Sequence, residues 1–258
     1  MNTVTSADGT VIAYDRAGAG PALVVSVGAF CDRHTFVPPA EFSGSYTVYT
    51  YDRRGRGDSG DTQPYAPERE YEDLAAVAAA TGERPFVFGH SSGAAIALRA
   101  AARGVPMRAL VAYEAPFAVD DTPQVPVPDP AAHIRELIGQ DRREDAVMFW
   151  MRDVVHAPAE AVAAMTGAPW LAGLAAFTPT LPYDIAVTDG GVPVAELARI
   201  GIPALVLSGA DSPDWFRRSV ADQADAIPGG RLVTIAGYNH NAPPEVITPM
   251  LKEFFGGV

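Results

Sequence analysis

One serine of this chain lies in a local pattern that could make it a nucleophile. Residues 89–93 read Gly-His-Ser-Ser-Gly and match the pattern G-x-S-x-G around Ser91. In such a motif the serine sits on a strained turn between a strand and a helix, and small flanking residues prevent clashes there. The run PFVFG before the motif and the run SGAAIALRAA after it supply that strand and helix. Ser91 is therefore a candidate nucleophile; the alternative is a glycine-rich turn with an incidental serine.

A serine hydroxyl needs a neighbouring base, because its own pKa is far too high for it to lose its proton unaided. The chain offers five histidines, at positions 34, 90, 133, 156 and 240. His90 adjoins the serine, but a sharp turn points adjacent side chains apart. His133 and His156 fall in a central segment that we interpret below as a cover over the sheet. His34 follows the loop after the first predicted strand.

The chain resembles the α/β-hydrolase superfamily, and the resemblance extends over nearly all of it. Besides the serine motif, the run YDRRGRGDSG at residues 51–60 is similar to the loop after the family's fourth strand. His240 lies where the family places its histidine, in the loop after the last strand, RLVTI. The chain order of serine and then histidine also agrees. The resemblance implies that Ser91 is the nucleophile and His240 the general base.

Two positions compete for the acid that would orient His240. The family usually takes it from the loop after the penultimate strand with the spacing G-x-x-D, whereas this chain has G-x-D, with Asp211 early and Ser212 at the expected place. Glu114 instead ends the apolar run ALVAY, where an unpaired buried carboxylate would be costly. Some family members, including certain dehalogenases and lactonases, take the acid from that strand. We favour Glu114 and keep Asp211 as the alternative.

The serine motif also carries a narrower resemblance. The pairing of Ser-Ser-Gly with a glutamate that ends the next strand resembles the lactone-cleaving branch that includes zearalenone hydrolases.

An oxyanion hole needs two backbone N–H groups aimed at the developing negative charge. Ser92 should supply one, and Gly28 or Ala29, in the loop VGAF after the run ALVVSV, should supply the other. The family often has His-Gly in that loop, but the donor is backbone, so the missing histidine matters little.

Strands must position these residues, and the sequence contains the corresponding runs. Short runs rich in β-branched and aromatic residues are typical of buried parallel strands, and they occur at 22–27, 46–51, 85–89, 108–113 and 204–208. Helical stretches at 68–80 and 92–103 alternate with them. The alternation predicts an α/β fold, a doubly wound and mostly parallel sheet. Its ligand site should lie at the carboxyl ends of the strands.

The middle of the chain reads differently from its two ends. Residues 118–198 contain no convincing strand and offer helical patches at 131–138, 143–155 and 159–165. We interpret this segment as an inserted helical lid over a core formed by residues 1–117 and 199–258. Apolar side chains in such stripes usually face a core. Four aromatic residues are nevertheless candidates for substrate binding: Phe30, Trp150, Trp170 and Phe177.

Composition limits the partners and the location that we expect. Asp and Glu outnumber Lys and Arg by 31 to 19, for a formal net charge of −12, which disfavours nucleic acid and anionic membranes. Cys31 is the only cysteine, so an internal disulfide and a cysteine-based zinc site are excluded. No secretory signal or long apolar span is evident, which favours a cytoplasmic protein. A homodimer stays open as an association state.

These observations predict a serine hydrolase that needs no metal or organic cofactor. It would cleave a carboxylic ester or lactone of an uncharged, hydrophobic small molecule through an acyl-enzyme. The same triad also serves carbon–carbon bond cleavage, lyase and perhydrolase chemistry, which stay open. A ligand-binding or signalling protein with slow turnover on the same scaffold is the alternative from another class.

Overall fold

Eight strands form one sheet in the order β1-β2-β4-β3-β5-β6-β7-β8. The structure is a computed structural model, and it describes residues 1–35 and 43–258. The strands are β1 (Asn2–Thr5), β2 (Val11–Gly18), β3 (Ala22–Ser26), β4 (Thr47–Tyr51), β5 (Phe86–His90), β6 (Ala109–Tyr113), β7 (Ala204–Gly209) and β8 (Arg231–Ile235). β1 pairs with β2, and β2 with β4, in antiparallel fashion, while all the other pairs are parallel.

The central strands are the apolar runs that the sequence predicts. Every residue of β3, β6 and β7 is buried, as parallel strands covered on both faces require. The predicted parallel sheet is confirmed. The antiparallel edge made by β1 and β2 was not predicted, because most of its residues are exposed and it gives no fully buried run.

Helices cover both faces of this sheet. The core helices are α1 (Pro67–Ala80), α2 (Ser92–Ala102), α9 (Asp214–Ala226) and α10 (Pro244–Gly256). α1, α2 and α9 pack on the face that carries Val24 and Val87, whereas α10 packs on the face that carries Val25 and Phe88. The sheet is therefore doubly wound, as predicted. No helix among the described residues is both long and apolar enough to cross a bilayer.

Residues 118–198, all of which the structure describes, form helices and no strand. They are α3 (Pro130–Gly139), α4 (Arg143–Phe149), a π-helix (Trp150–Val154), α5 (Ala159–Met165), α6 (Leu171–Ala175), a 3₁₀ turn (Thr178–Thr180), α7 (Leu181–Thr188) and α8 (Val194–Leu197). The predicted helix 143–155 is thus α-helical only in its first half. Most apolar side chains of the segment form two clusters that Phe30 also contacts, whereas Val187 and Leu197 join the main core.

Candidate active site

Ser91 lies on a tight turn between β5 and α2. Its backbone adopts φ 57° and ψ −131°, a conformation that residues with a side chain rarely adopt. The neighbouring glycines allow this turn to pack closely. A Cβ at Gly89 would lie 2.6 Å from Cα of Ala94, and one at Gly93 would lie 2.2 Å from the carbonyl oxygen of Ser26. The glycines of the motif are therefore required by space, and the strain is borne by the serine itself.

His240 and Glu114 are hydrogen-bonded at the carboxyl edge of the sheet. The distance between Nδ1 of His240 and Oε2 of Glu114 is 2.8 Å, within the range that we expect for a triad pair. Glu114 directly follows β6 and is fully buried, whereas the His240 side chain is 30% exposed. Because a carboxylate can only accept, Nδ1 carries the proton, and Nε2 of a neutral His240 then holds a lone pair that can accept one.

The loop after β7 supports Glu114 and does not replace it. Oε1 of Glu114 accepts hydrogen bonds of 2.7 Å from the backbone N–H of Gly209 and from the hydroxyl of Ser212. Ser212 holds the position at which the family spacing places an aspartate. The side chain of Asp211 is exposed, and its backbone N–H donates to the carbonyl oxygen of Tyr238. Of the two candidates for the acid, the structure thus brings Glu114, and not Asp211, to His240.

His90 and Tyr113 hold the loop that carries His240. The rings of His90 and His240 have centroids 4.6 Å apart, and Nε2 of His90 lies 2.9 Å from the carbonyl oxygen of His240. Burial, together with the neighbouring His240, lowers the pKa of His90 to about 3, so His90 is neutral and donates this bond. The hydroxyl of Tyr113 donates to the carbonyl oxygen of Asn239 and accepts from the N–H of Ala242 at 3.1 Å. These contacts place His240 beside the Ser91 turn.

The loop after β3 lies directly against the serine. A Cβ at Gly28 would lie 2.6 Å from Cβ of Ser91 and 3.0 Å from its Oγ, so only glycine permits this approach. The carbonyl oxygen of Gly28 accepts a hydrogen bond of 2.6 Å from Arg56. The N–H of Ala29 makes no hydrogen bond within residues 1–35 and 43–258. Ser92, at the first position of α2, likewise has an N–H without an intrahelical acceptor.

The four aromatic candidates for substrate binding lie in different surroundings. Phe30 and Trp150 meet edge to face, with ring centroids 6.2 Å apart, so the loop after β3 contacts the π-helix. Trp150 is buried, Phe177 is half-buried, and Trp170 is 53% exposed. Trp170 is the N-cap residue of the short helix α6, and its side chain is directed largely to solvent. A role in substrate binding stays a prediction for all four.

Sequence reasoning missed two groups beside the site. Phe216 packs against His240 with ring centroids 5.5 Å apart and stacks on Trp215, which in turn meets His156 of the central segment. The second group is a buried ion network around Asp184, described below. Asp184 is the only charged residue between positions 171 and 188, and an isolated carboxylate in an apolar helix was the available signal.

Pairing of the charges in the run 51–60 also differs from expectation. The sequence suggests that Asp52, Arg53, Arg56 and Asp58 pair with one another across the turn. Instead, Asp52 and Asp58 both bind Arg33, and the two arginines bind acidic side chains of α1 and α7. The turn is short and glycine-rich, so its long side chains reach partners outside it.

Comparisons with known proteins agree with the fold. A model of the alpha/beta hydrolase family matches residues 18–246. The chain belongs to the alpha/beta hydrolase family. An alpha/beta hydrolase from Sphaerobacter thermophilus DSM 20745 is 48% identical, with a TM-score of 0.93 over 98% of this chain and 100% of that one.

Other similar proteins are more distant in sequence. The structure of the enol-lactonase from Burkholderia xenovorans LB400 has a TM-score of 0.75 at 21% identity, over 99% of this chain and 100% of that one, which shows a shared fold. N-formylmaleamate deformylase from Pseudomonas putida KT2440 is 38% identical over 104 residues, which are 38% of this chain and 39% of the deformylase. The chain thus matches well under half the length of that relative.

Proposed function

We propose that this alpha/beta hydrolase is a serine hydrolase with the triad Ser91, His240 and Glu114. The observation that carries the proposal is the 2.8 Å hydrogen bond from Nδ1–H of His240 to Glu114. It fixes the tautomer in which Nε2 accepts the proton of the Ser91 hydroxyl while Oγ attacks an acyl carbonyl. Glu114 then stabilises the positive charge that forms on His240.

The two half-reactions use the same groups in opposite directions. Negative charge on the carbonyl oxygen of the tetrahedral intermediate is bound by the N–H groups of Ser92 and of Ala29 or Gly28. His240 gives its proton to the leaving alkoxide, which departs as an alcohol and leaves Ser91 acylated. A water molecule then loses a proton to His240 and attacks the acyl carbon, which releases the acid and restores the serine.

Charge pairing around the site favours an uncharged substrate. Arg53 and Arg56, the buried arginines beside Ser92, are already bound by Glu70 and Asp184. A substrate carboxylate would have to displace one of these internal partners. The aromatic contacts of the loop after β3 and of α9 favour an apolar acyl or alcohol group. We therefore propose a hydrophobic ester or lactone as substrate, hydrolysed without a metal or organic cofactor.

Ser91→Ala tests the nucleophile directly. The variant should lose labelling by a fluorophosphonate probe, and its kcat on the best ester or lactone of a chain-length panel should fall by up to about 10⁶-fold. An acyl-enzyme should be detectable by mass spectrometry on the unaltered protein during turnover. Thermal unfolding serves as the control, since the variant must fold. Activity above a few per cent in folded Ser91→Ala protein would refute the mechanism.

A further inference from the structure

A buried carboxylate of α7 reaches the first residue of helix α2. Asp184 is about 1% exposed and accepts hydrogen bonds of 2.5 Å at Oδ1 from the Ser92 hydroxyl and from Nη1 of Arg53. Its other oxygen, Oδ2, accepts a bond of 2.7 Å from Nη2 of Arg56. One side chain of the segment 118–198 thus binds both the residue after Ser91 and the loop that follows β4.

Arg56 continues this network to the loop after β3. Its Nη1 donates to the carbonyl oxygens of Gly28, at 2.6 Å, and of Cys31, at 3.2 Å. Its Nε donates to the hydroxyl of Thr180 at 3.0 Å. Through Arg56, the loop after β3 is therefore linked to the same carboxylate that accepts the hydrogen bond from Ser92.

The bond to the Gly28 carbonyl sets the direction of the next N–H group. In a planar trans peptide the C=O of one residue and the N–H of the next point in opposite directions. Arg56 binds this C=O, so the N–H of Ala29 points away from the guanidinium. This N–H has no acceptor among the described residues, and Gly28 itself lies against Ser91. An N–H group in this position is available to donate a hydrogen bond to a ligand.

The charges of the network depend on one another. Burial alone would raise the pKa of Asp184, but the charges of Arg53 and Arg56 outweigh it and hold that pKa below its usual range. Burial, together with the charge of Arg53, lowers the pKa of Arg56. Buried ions are costly unless every partner is present, and well-packed apolar residues often serve stability equally well. Stability alone therefore gives little reason for this network.

We infer that Asp184 and Arg56 are positioning residues that hold the two backbone donors of the oxyanion hole in place. The inference rests on the proposed serine-hydrolase function. Asp184 orients Ser92 through its hydroxyl, and it orients the Gly28–Ala29 peptide through Arg56. Because Asp184 belongs to α7, the oxyanion hole is complete only while this helix is packed against the core. The stacked rings of Tyr65 and Tyr183, 3.7 Å apart, hold α7 in that position.

Asp184→Asn tests this role, with Asp73→Asn as its matched control. The amide retains one acceptor oxygen but turns an NH₂ group toward a guanidinium, which breaks the link to one arginine. Asp73 is equally buried and binds Arg54 through both oxygens at 2.8 Å, but within residues 1–35 and 43–258 no hydrogen bond of Asp73 or of the Arg54 side chain reaches Gly28 or Ser92. Both substitutions should lower the unfolding temperature.

Only Asp184→Asn should lower kcat, by roughly 10- to 100-fold with little change in KM, since losing an oxyanion donor outright costs about 10²- to 10³-fold. Affinity for an alkylboronic acid, whose tetrahedral adduct with Ser91 occupies the hole, should fall by a similar factor. Ser92→Ala, which removes the hydroxyl and keeps the N–H, provides a milder second variant. It should lower kcat several-fold in a folded protein.

Three outcomes would overturn the inference. The first is that both Asp→Asn variants have the same kcat, and the second is that kcat and boronate affinity are unchanged in Ser92→Ala. In either case, if Ser91→Ala is inactive, the serine-hydrolase function stands and only the positioning role fails. The third is an active Ser91→Ala protein, which would remove the proposed function and this inference with it.

Discussion

Glu114 shows how a single side chain can be placed by three donors. Its carboxylate is fully buried and accepts hydrogen bonds from His240, from the Gly209 N–H and from the Ser212 hydroxyl. Bonds to an ionised acceptor are about twice as strong as neutral ones, and together they offset the cost of burying the charge. The carboxylate is thereby fixed in the orientation that the His240 ring requires. A residue so placed should be sensitive even to an isosteric change.

Glu114→Gln is therefore expected to lower kcat by up to about 10⁴-fold, because the amide keeps the shape but cannot balance the charge on His240. Asp211→Asn is expected to stay within a few-fold of the unaltered protein, because that side chain is exposed and the carboxylate bonded to His240 is that of Glu114. Steady-state kinetics on one ester would measure both. A crippled Asp211→Asn beside a nearly normal Glu114→Gln would move the acid to the loop after β7.

At the scale of elements, the site depends on how closely two loops approach each other. The turn between β5 and α2 carries Ser91, and the loop after β3 carries Gly28. β3 and β5 are neighbouring parallel strands, with Ser26 opposite Gly89, so their carboxyl ends lie side by side. The space between the two loops is too small for a methyl group at Gly28.

Gly28→Ala is expected to reduce kcat by about 10²-fold, since displacing reacting groups by 1 Å can cost that much. Gly173→Ala is the matched control. Gly173 lies within helix α6, has open space where a Cβ would go, and has no positive φ. It should keep full activity and gain about 0.5–1 kcal/mol of stability from helix propensity. Steady-state kinetics would measure the activity of both variants, and urea unfolding would measure their stability. Full activity of Gly28→Ala would show that the loop can withdraw from Ser91 without consequence.

The charge of the whole molecule acts on what reaches the site. The formal net charge is −12, and a field of that sign repels anionic solutes. Close to Ser92, the two buried arginines are paired with internal carboxylates, so they offer nothing to a substrate anion. The long-range repulsion by the net charge and the local pairing of the arginines therefore both disfavour anionic substrates. The two effects respond differently to salt.

A neutral diester and the monoester of the same dicarboxylic acid form a matched pair of substrates. The neutral compound should have the higher kcat/KM, by about 10-fold or more at low ionic strength. Added salt should reduce this difference in kcat/KM, because it screens exposed charges. The difference that remains at high salt would measure the contribution of the paired charges beside the site. A preference for the charged monoester would disprove the proposed substrate class while leaving the nucleophile untouched.

The sequence alone determined the central strands of the sheet and the candidate residues that they carry. Buried parallel strands are encoded in short apolar runs, and the G-x-S-x-G turn needs only its own neighbours to form. The family membership and the doubly wound sheet predicted from these patterns are confirmed. A contact of His240 with Glu114 was favoured over one with Asp211, because some family members take the acid from that strand and because a carboxylate that ends a buried strand needs a partner. Whether these residues act as a triad stays a prediction.

Only the tertiary structure decided which side chains from distant parts of the chain meet. Asp184 and Arg56 are 128 residues apart, and no periodicity links them. Phe216 reaches His240 because α9 follows β7. In the loop between them, the side chain of Ser212 is buried and that of Asp211 is exposed. The helix predicted over 143–155 changes to a π-helix where Trp150 packs against Phe30. Local patterns specify strands and helices, but contacts such as these depend on how whole elements pack, which no short stretch of sequence encodes.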